Sequence, residues 1–120
     1  MRIAIITGGR HFEGHRKVRE ALDDFDPAWV VQGGAPGADS IAAAWCRTNG
    51  VQLVTFEAMW NHFGAKAGPR RNRMMADLAL ILARAPLNEV RVFAFPGGRG
   101  TADMIKACEA RELTVIRHSD

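Results

Sequence analysis

The 120-residue sequence has no tyrosine, only two cysteines, and no apolar stretch approaching membrane-spanning length. Cys46 and Cys108 are isolated from each other and from any closely spaced Cys/His pattern, so the spacing of a bound metal is missing and both read as reduced thiols within helices. Long runs of one charge are also absent. Thirteen acidic residues accompany sixteen basic ones, and the net charge of +3 does not by itself indicate DNA binding. There is no Gly-Lys-Ser/Thr ending of a Walker A loop and no full GxGxxG spacing, which ranks ATP hydrolysis and NAD-dependent hydride transfer low. With no internal repeat or low-complexity linker, residues 1–120 read as one domain. No leader pattern precedes the first strand-like segment, and the expected compartment is the cytoplasm, with no membrane association.

What is present is an alternation of two periodicities. Arg2–Thr7 is a short β-branched apolar run that ends in Gly8-Gly9. His15–Phe25 carries Val18, Ala21, Leu22 and Phe25 at helical spacing and stops at Asp26-Pro27. Ala28–Gln32 reads as a second strand, residues 33–39 as a glycine turn, and the alanine-rich stretch up to Asn49-Gly50 as a helix with a glycine stop. Val51–Phe56 reads as a strand, residues 57–69 as a long irregular loop, and Arg70–Arg84 as a helix. Arg91–Phe95, Pro96–Thr101, Ala102–Arg111 and Leu113–Ile116 repeat the sequence of strand, glycine turn, helix and strand. Such alternation predicts an α/β fold, a single Rossmann-like domain whose mostly parallel sheet is flanked by helices, because parallel neighbours need crossover connections.

Three glycine turns follow strands: Gly8-Gly9, then Gly33-Gly34 with Gly37, then Gly97-Gly98 with Gly100. Glycine lets backbone N–H groups approach phosphate oxygens, and a helix N-terminus behind the turn favours negative charge. The same turns would also suit a chain that only needs tight bends. Thr101 is placed as a hydroxyl and helix N-cap beside the last turn, Asp39 at the start of the second helix, and Arg10 and Arg99 over or beside their turns. Lys17, Lys66 and Lys106 are the only lysines, so thirteen of the sixteen basic residues are arginine, whose planar fork matches phosphate; an arginine-rich coding bias would give the same count. Trp60, His62 and Phe63 in the long loop are candidates to stack on a base, cover the crevice or simply pack beneath the loop, and His62 is also an acid–base candidate.

In order along the chain, Gly33-Gly34-Ala-Pro-Gly37-Ala-Asp39, then Trp60 through Gly64 to Ala67-Gly68-Pro69-Arg70-Arg71-Asn72-Arg73, and Ala94-Phe95-Pro96-Gly97-Gly98-Arg99-Gly100-Thr101-Ala102-Asp103 resemble the YspA, cpYpsA-related branch of the SLOG superfamily. Thr7-Gly8-Gly9-Arg10 is similar to the first turn of that family. The resemblance implies a Rossmann-like fold that binds nucleotides or nucleotide-derived molecules. Distant relatives of the LOG type are phosphoribohydrolases that cleave the N-glycosidic bond of nucleoside 5′-monophosphates with an arginine and a glutamate, the latter in Pro-Gly-Gly-x-Gly-Thr-x-x-Glu. By that resemblance Arg71 takes the place of the arginine, Asn72 replaces a lysine, and Met104 stands where the glutamate is expected. Asp103 is one residue earlier, a displacement of about 100° around a helix.

The leading expectation is therefore binding of a nucleotide or a nucleotide-derived phosphorylated ligand, extended to hydrolysis of an N-glycosidic bond if Asp103 and Arg71 serve as the catalytic pair. The expected ligand contacts are Gly8, Gly9, Arg10, Gly33, Gly34, Gly37, Asp39, Arg71, Asn72, Gly97, Gly98, Arg99, Gly100 and Thr101. Asp39 is a second candidate carboxylate for catalysis, with helix capping as its plain alternative. A non-catalytic sensor acting through a protein partner is the main alternative, and single-stranded DNA binding ranks third because stacking aromatics are few. No tightly bound cofactor or metal is expected; Mg²⁺ would enter only with a phosphate ligand. Met74, Met75, Leu78 and Leu82 read as core or subunit interface, and the LOG-type relatives extend that to a homodimer by resemblance.

Overall fold

In the computed structural model, which describes residues 1–119, five strands form one parallel sheet. They are β1 (Arg2–Thr7), β2 (Trp29–Gln32), β3 (Gln52–Thr55), β4 (Glu89–Ala94) and β5 (Val115–Arg117). The order across the sheet is β3-β2-β1-β4-β5. The register pairs Ile5 with Val31 on one side and with Val92 on the other. The helices are α1 (His15–Phe25), α2 (Ala38–Asn49), α3 (Trp60–Phe63), α4 (Ala67–Ala83) and α5 (Arg99–Ala110).

The two-residue period of β1 divides the core. Ala4 and Ile6 face Val18, Leu22 and Phe25 of α1 and Ile41, Ala42 and Trp45 of α2. Ile3 and Ile5 face Met75, Ala76 and Ala79 of α4 and Met104 and Cys108 of α5. Both faces are covered, so central strands must be apolar throughout, and Ile3, Ala4, Ile5 and Ile6 are each no more than 2% exposed. The chain first builds outward from β1 to β2 and β3, then crosses to the other side of β1 to add β4 and β5. The order reverses between β1 and β4, where diverging loops open a crevice beyond the strand ends.

Strand boundaries shift by one or two residues from the sequence expectation, β4 covering Glu89–Ala94 rather than Arg91–Phe95 and β5 Val115–Arg117 rather than Leu113–Ile116, and two helix starts shift by three. The expected irregular loop is confined to residues 57–59: Trp60–Phe63 form one helical turn, Gly64–Lys66 a 3₁₀ turn, and α4 already starts at Ala67. Pro69 falls in the first turn of α4, where its missing N–H would have had no intrahelical partner, so proline permits the earlier start. Likewise α5 starts at Arg99, with Gly98 as its N-cap. Thr101 therefore lies inside the first turn and is not the N-cap, and its side chain is buried.

Candidate functional site

At the carboxyl ends of β1 and β4 the two turns lock together. Phe95 donates its backbone N–H to the Thr7 carbonyl and Gly9 donates to the Pro96 carbonyl, each at 2.9 Å. A Cβ on Gly97 would lie 2.6 Å from the Gly9 nitrogen, closer than real Cβ contacts allow. The second turn joins them at Gly37, whose φ of +83° is left-handed and whose added Cβ would strike the Gly9 carbonyl oxygen. These glycines are required by loop-on-loop packing. Gly98 and Gly100 are different, since a Cβ on either would meet nothing within 4 Å.

Above the locked turns lies a cleft of about 1450 Å³. Its lining includes Gly8, Gly9, Arg10, Gly33, Asp39, Arg71, Asn72, Gly97, Gly98, Arg99, Gly100, Thr101 and Asp103. Gly34 and Gly37, also expected at the ligand, do not line it: Gly34 is exposed near Thr55 and Glu57, and Gly37 packs on the first turn. The cleft also takes residues that sequence reasoning did not single out, among them Phe12, Glu13, Arg16 and Lys17. The only sequence signal for them was their place directly after the first glycine turn. Arg10, Arg16, Lys17, Arg71 and Arg99 outnumber Glu13, Asp39 and Asp103 along the lining, which favours an anionic occupant. Among the described residues, Arg10 and Arg99 have no carboxylate partner.

The start of α5 opens into this cleft. The N–H groups of Arg99, Gly100 and Thr101 have no intrahelical acceptors, because helix geometry supplies none to the first turn, and no acidic side chain occupies that turn. The positive end of the helix dipole adds to the arginines there.

Asp39 follows a different logic. Its Oδ2 accepts the N–H groups of Gly33 at 3.1 Å and Ala35 at 3.2 Å, so the carboxylate shapes the second turn from the second residue of α2. Its Oδ1 is buried without a partner among the described residues. Burial raises its pKa to about 6, against the lowering effects of the Ala35 N–H, the nearby Arg71 charge and the Gly33 N–H. Arg71 lies over Gly33, where a Cβ would collide with the guanidinium. It donates Nη1–H to the Gly33 carbonyl at 2.6 Å and the Phe56 carbonyl at 3.3 Å, and Nε–H to Asn72 Oδ1 at 3.0 Å. Burial lowers its pKa, opposed by the Asp39 charge.

Asn72 is buried and donates Nδ2–H to the Gly100 carbonyl at 3.1 Å and to Asp103 Oδ2 at 3.0 Å. Arg71, Asn72 and Asp103 thus form a continuous polar chain joining α4 to α5. Met104 is 0% exposed and belongs to the core between α4, α5 and the sheet. On this helix, position 103 faces the cleft and position 104 faces the core. His62 and Phe63 do not line the cleft, whereas Trp60 does. Among the described residues, no group of three or more His, Cys, Asp or Glu side chains could hold a metal ion.

Residues 1–63 match the profile of a family described as the YspA, cpYpsA-related SLOG family. The whole chain is also similar to the Gene 61 protein of Mycobacterium phage D29, 34% identical over 136 aligned positions that span 100% of this chain and 98% of the phage protein.

Proposed function

The chain belongs to the YspA, cpYpsA-related SLOG family, and from that premise we propose that its cleft binds a nucleotide or a nucleotide-derived phosphorylated ligand. The observation that carries this reading is the convergence of three features at the reversal of strand order: the open first turn of α5 at Gly98–Thr101, the unpaired Arg10 and Arg99, and a cleft of about 1450 Å³. A phosphate at the start of α5 would accept the N–H groups that the helix leaves over and would neutralise the arginines. The cleft exceeds the roughly 300–1000 Å³ of common small-molecule sites, so a nucleotide fits with solvent to spare.

A second reading, hydrolysis of the N-glycosidic bond of a nucleoside monophosphate, is favoured by Asp103. The carboxylate faces the cleft and Asn72 holds one of its oxygens, while Met104 is turned away. In this reaction water adds to the anomeric carbon, the bond to the base breaks, and the base leaves with a proton. Asp103 would stabilise the positive charge that develops on the ribose ring, and Arg71 would fix Asn72 and the second turn around it. Incubation with nucleoside monophosphates, with ligand-induced thermal stabilisation and free-base release followed together, separates the outcomes. Stabilisation with base release that disappears in Asp103→Asn supports the hydrolase. Stabilisation without release supports a binding module that signals through a partner. Absence of any stabilisation removes the nucleotide reading.

A further inference from the structure

The three tryptophans differ sharply in how they are used. Trp29 packs partly buried against the core on the α4–α5 side of the sheet. Trp45 is buried and donates Nε1–H to Asp23 at 2.8 Å. Trp60 is 55% exposed and makes no side-chain hydrogen bond among the described residues. It lines the cleft together with Ala65, Gly68 and Pro69, on the wall formed by α3 and the start of α4. The edge of its ring rests against Gly68, where an added Cβ would lie 3.2 Å from Cη2.

Neighbouring aromatic rings are already engaged. Phe63 meets His62 edge-on at 4.4 Å and carries the Arg70 guanidinium 4.1 Å from its centre. Phe12, the phenylalanine of the cleft lining, stacks on Phe95 at 5.5 Å. Trp60 has no such ring or cation against it among the described residues. A tryptophan held at its ring edge yet 55% exposed, inside a cleft, leaves apolar area in water that a flat apolar ligand group would cover. Bases stack on such a surface with little demand on hydrogen-bonding pattern, because every base has a π-face.

Resting on the nucleotide reading above, we infer that Trp60 is the platform on which the base of the ligand stacks, with the phosphate held at the start of α5. The ligand class is then a nucleoside phosphate whose base is intact on binding, and a bare sugar phosphate is a poor substitute. The platform sits on a helix of four residues that packs on α4, so it is set by the same helix that supplies Arg71 and Asn72.

The test uses intrinsic tryptophan fluorescence and calorimetry on the whole chain, titrated with AMP, GMP, CMP, UMP and ribose 5-phosphate. Trp29 and Trp45 are sheltered, so quenching reports mainly on Trp60. Nucleoside monophosphates are expected to quench the wild type, and ribose 5-phosphate is expected to bind more weakly without quenching. Trp60→Phe should keep affinity within a few-fold, while Trp60→Leu should weaken the monophosphates by about tenfold or more and leave ribose 5-phosphate unchanged. Monophosphate binding of equal strength in wild type and Trp60→Leu would overturn the platform while leaving the nucleotide reading intact. Binding of none of the five compounds to the wild type would overturn that reading itself, and the platform with it.

Discussion

Asn72 and Asp103 are joined across the α4–α5 contact by a 3.0 Å hydrogen bond from the amide nitrogen to carboxylate Oδ2, while the amide oxygen of Asn72 accepts from Arg71. The amide is a two-sided connector: a carboxylate at position 72 would repel Asp103, and an ammonium would lose the acceptor that Arg71 needs. Asn72 is 6% exposed, so nothing in solvent replaces it. Asn72→Ala is expected to cost about 1–3 kcal/mol in urea denaturation, the penalty for leaving buried polar partners unmet. Asp103→Ala should cost less, since that side chain is half-buried.

Asp39 gives a pH signature of definite sign. Its pKa rises from 3.8 in the unfolded chain to about 6 in the fold, chiefly through burial. Below pH 3.8 both states are protonated and the group contributes nothing. Between pH 3.8 and about 6 the fold holds a proton that the unfolded chain has released, and stability falls as pH rises. Above about pH 6 the charged carboxylate costs the fold about 3 kcal/mol relative to the acidic limit. Asp39→Asn keeps an oxygen for the Gly33 and Ala35 N–H groups and should be more stable than the wild type at pH 7.5, with the advantage shrinking toward pH 4. A denaturation series across this range checks it; a variant that is less stable at pH 7.5 would show that the carboxylate is worth more to the second turn than its burial costs.

The glycines fall into two groups that substitution should separate. Gly37→Ala is strained by its φ of +83° and has no room for a Cβ beside the Gly9 carbonyl, so a loss of more than about 1 kcal/mol is expected in thermal or chemical denaturation. Gly100 lies in the first turn of α5 with open space around it. Gly100→Ala should raise stability by up to about 1 kcal/mol, as alanine does when it replaces helical glycine. The N–H of Gly100 is among those proposed to hold the phosphate, so ligand-induced stabilisation should shrink as intrinsic stability grows.

Much of this arrangement was readable from the chain. RIAIIT, the helical stripe through Val18, Leu22 and Phe25, and the glycine stops gave the α/β alternation, because each is a local pattern that packing then reinforces. Arg71, Asn72, Gly97–Thr101 and Asp103, which the motifs had singled out, all line one cleft. Three things were not readable. The strand order rests on pairings such as Ile5 with Val92, which join distant parts of the chain and leave no local signal. The folding of Trp60–Lys66 into short turns depends on docking against α4, since such short helices have little stability alone. The use of Gly9, Gly37 and Gly97 as packing contacts between turns appears only when those turns meet, so glycine spacing alone could not distinguish them from Gly98 and Gly100.

Arg99 and Arg10 provide a control in which stability and binding separate. Both are exposed and unpaired with carboxylates among the described residues, so Arg99→Ala and Arg10→Ala should each leave thermal stability within about 0.5 kcal/mol. Each should weaken a phosphorylated ligand measurably and reduce the salt dependence of binding, as expected for the loss of a charge-assisted phosphate contact.

Calorimetric titration of the wild type and Arg99→Ala with a nucleoside 5′-monophosphate and with the matching unphosphorylated nucleoside tests the central claim most directly. The cleft described above should bind the monophosphate more tightly than the nucleoside in the wild type, and Arg99→Ala should erase much of that difference while leaving the nucleoside unchanged. Equal binding of the two compounds, or a preference for the monophosphate that survives in Arg99→Ala undiminished, would contradict a phosphate site at the start of α5.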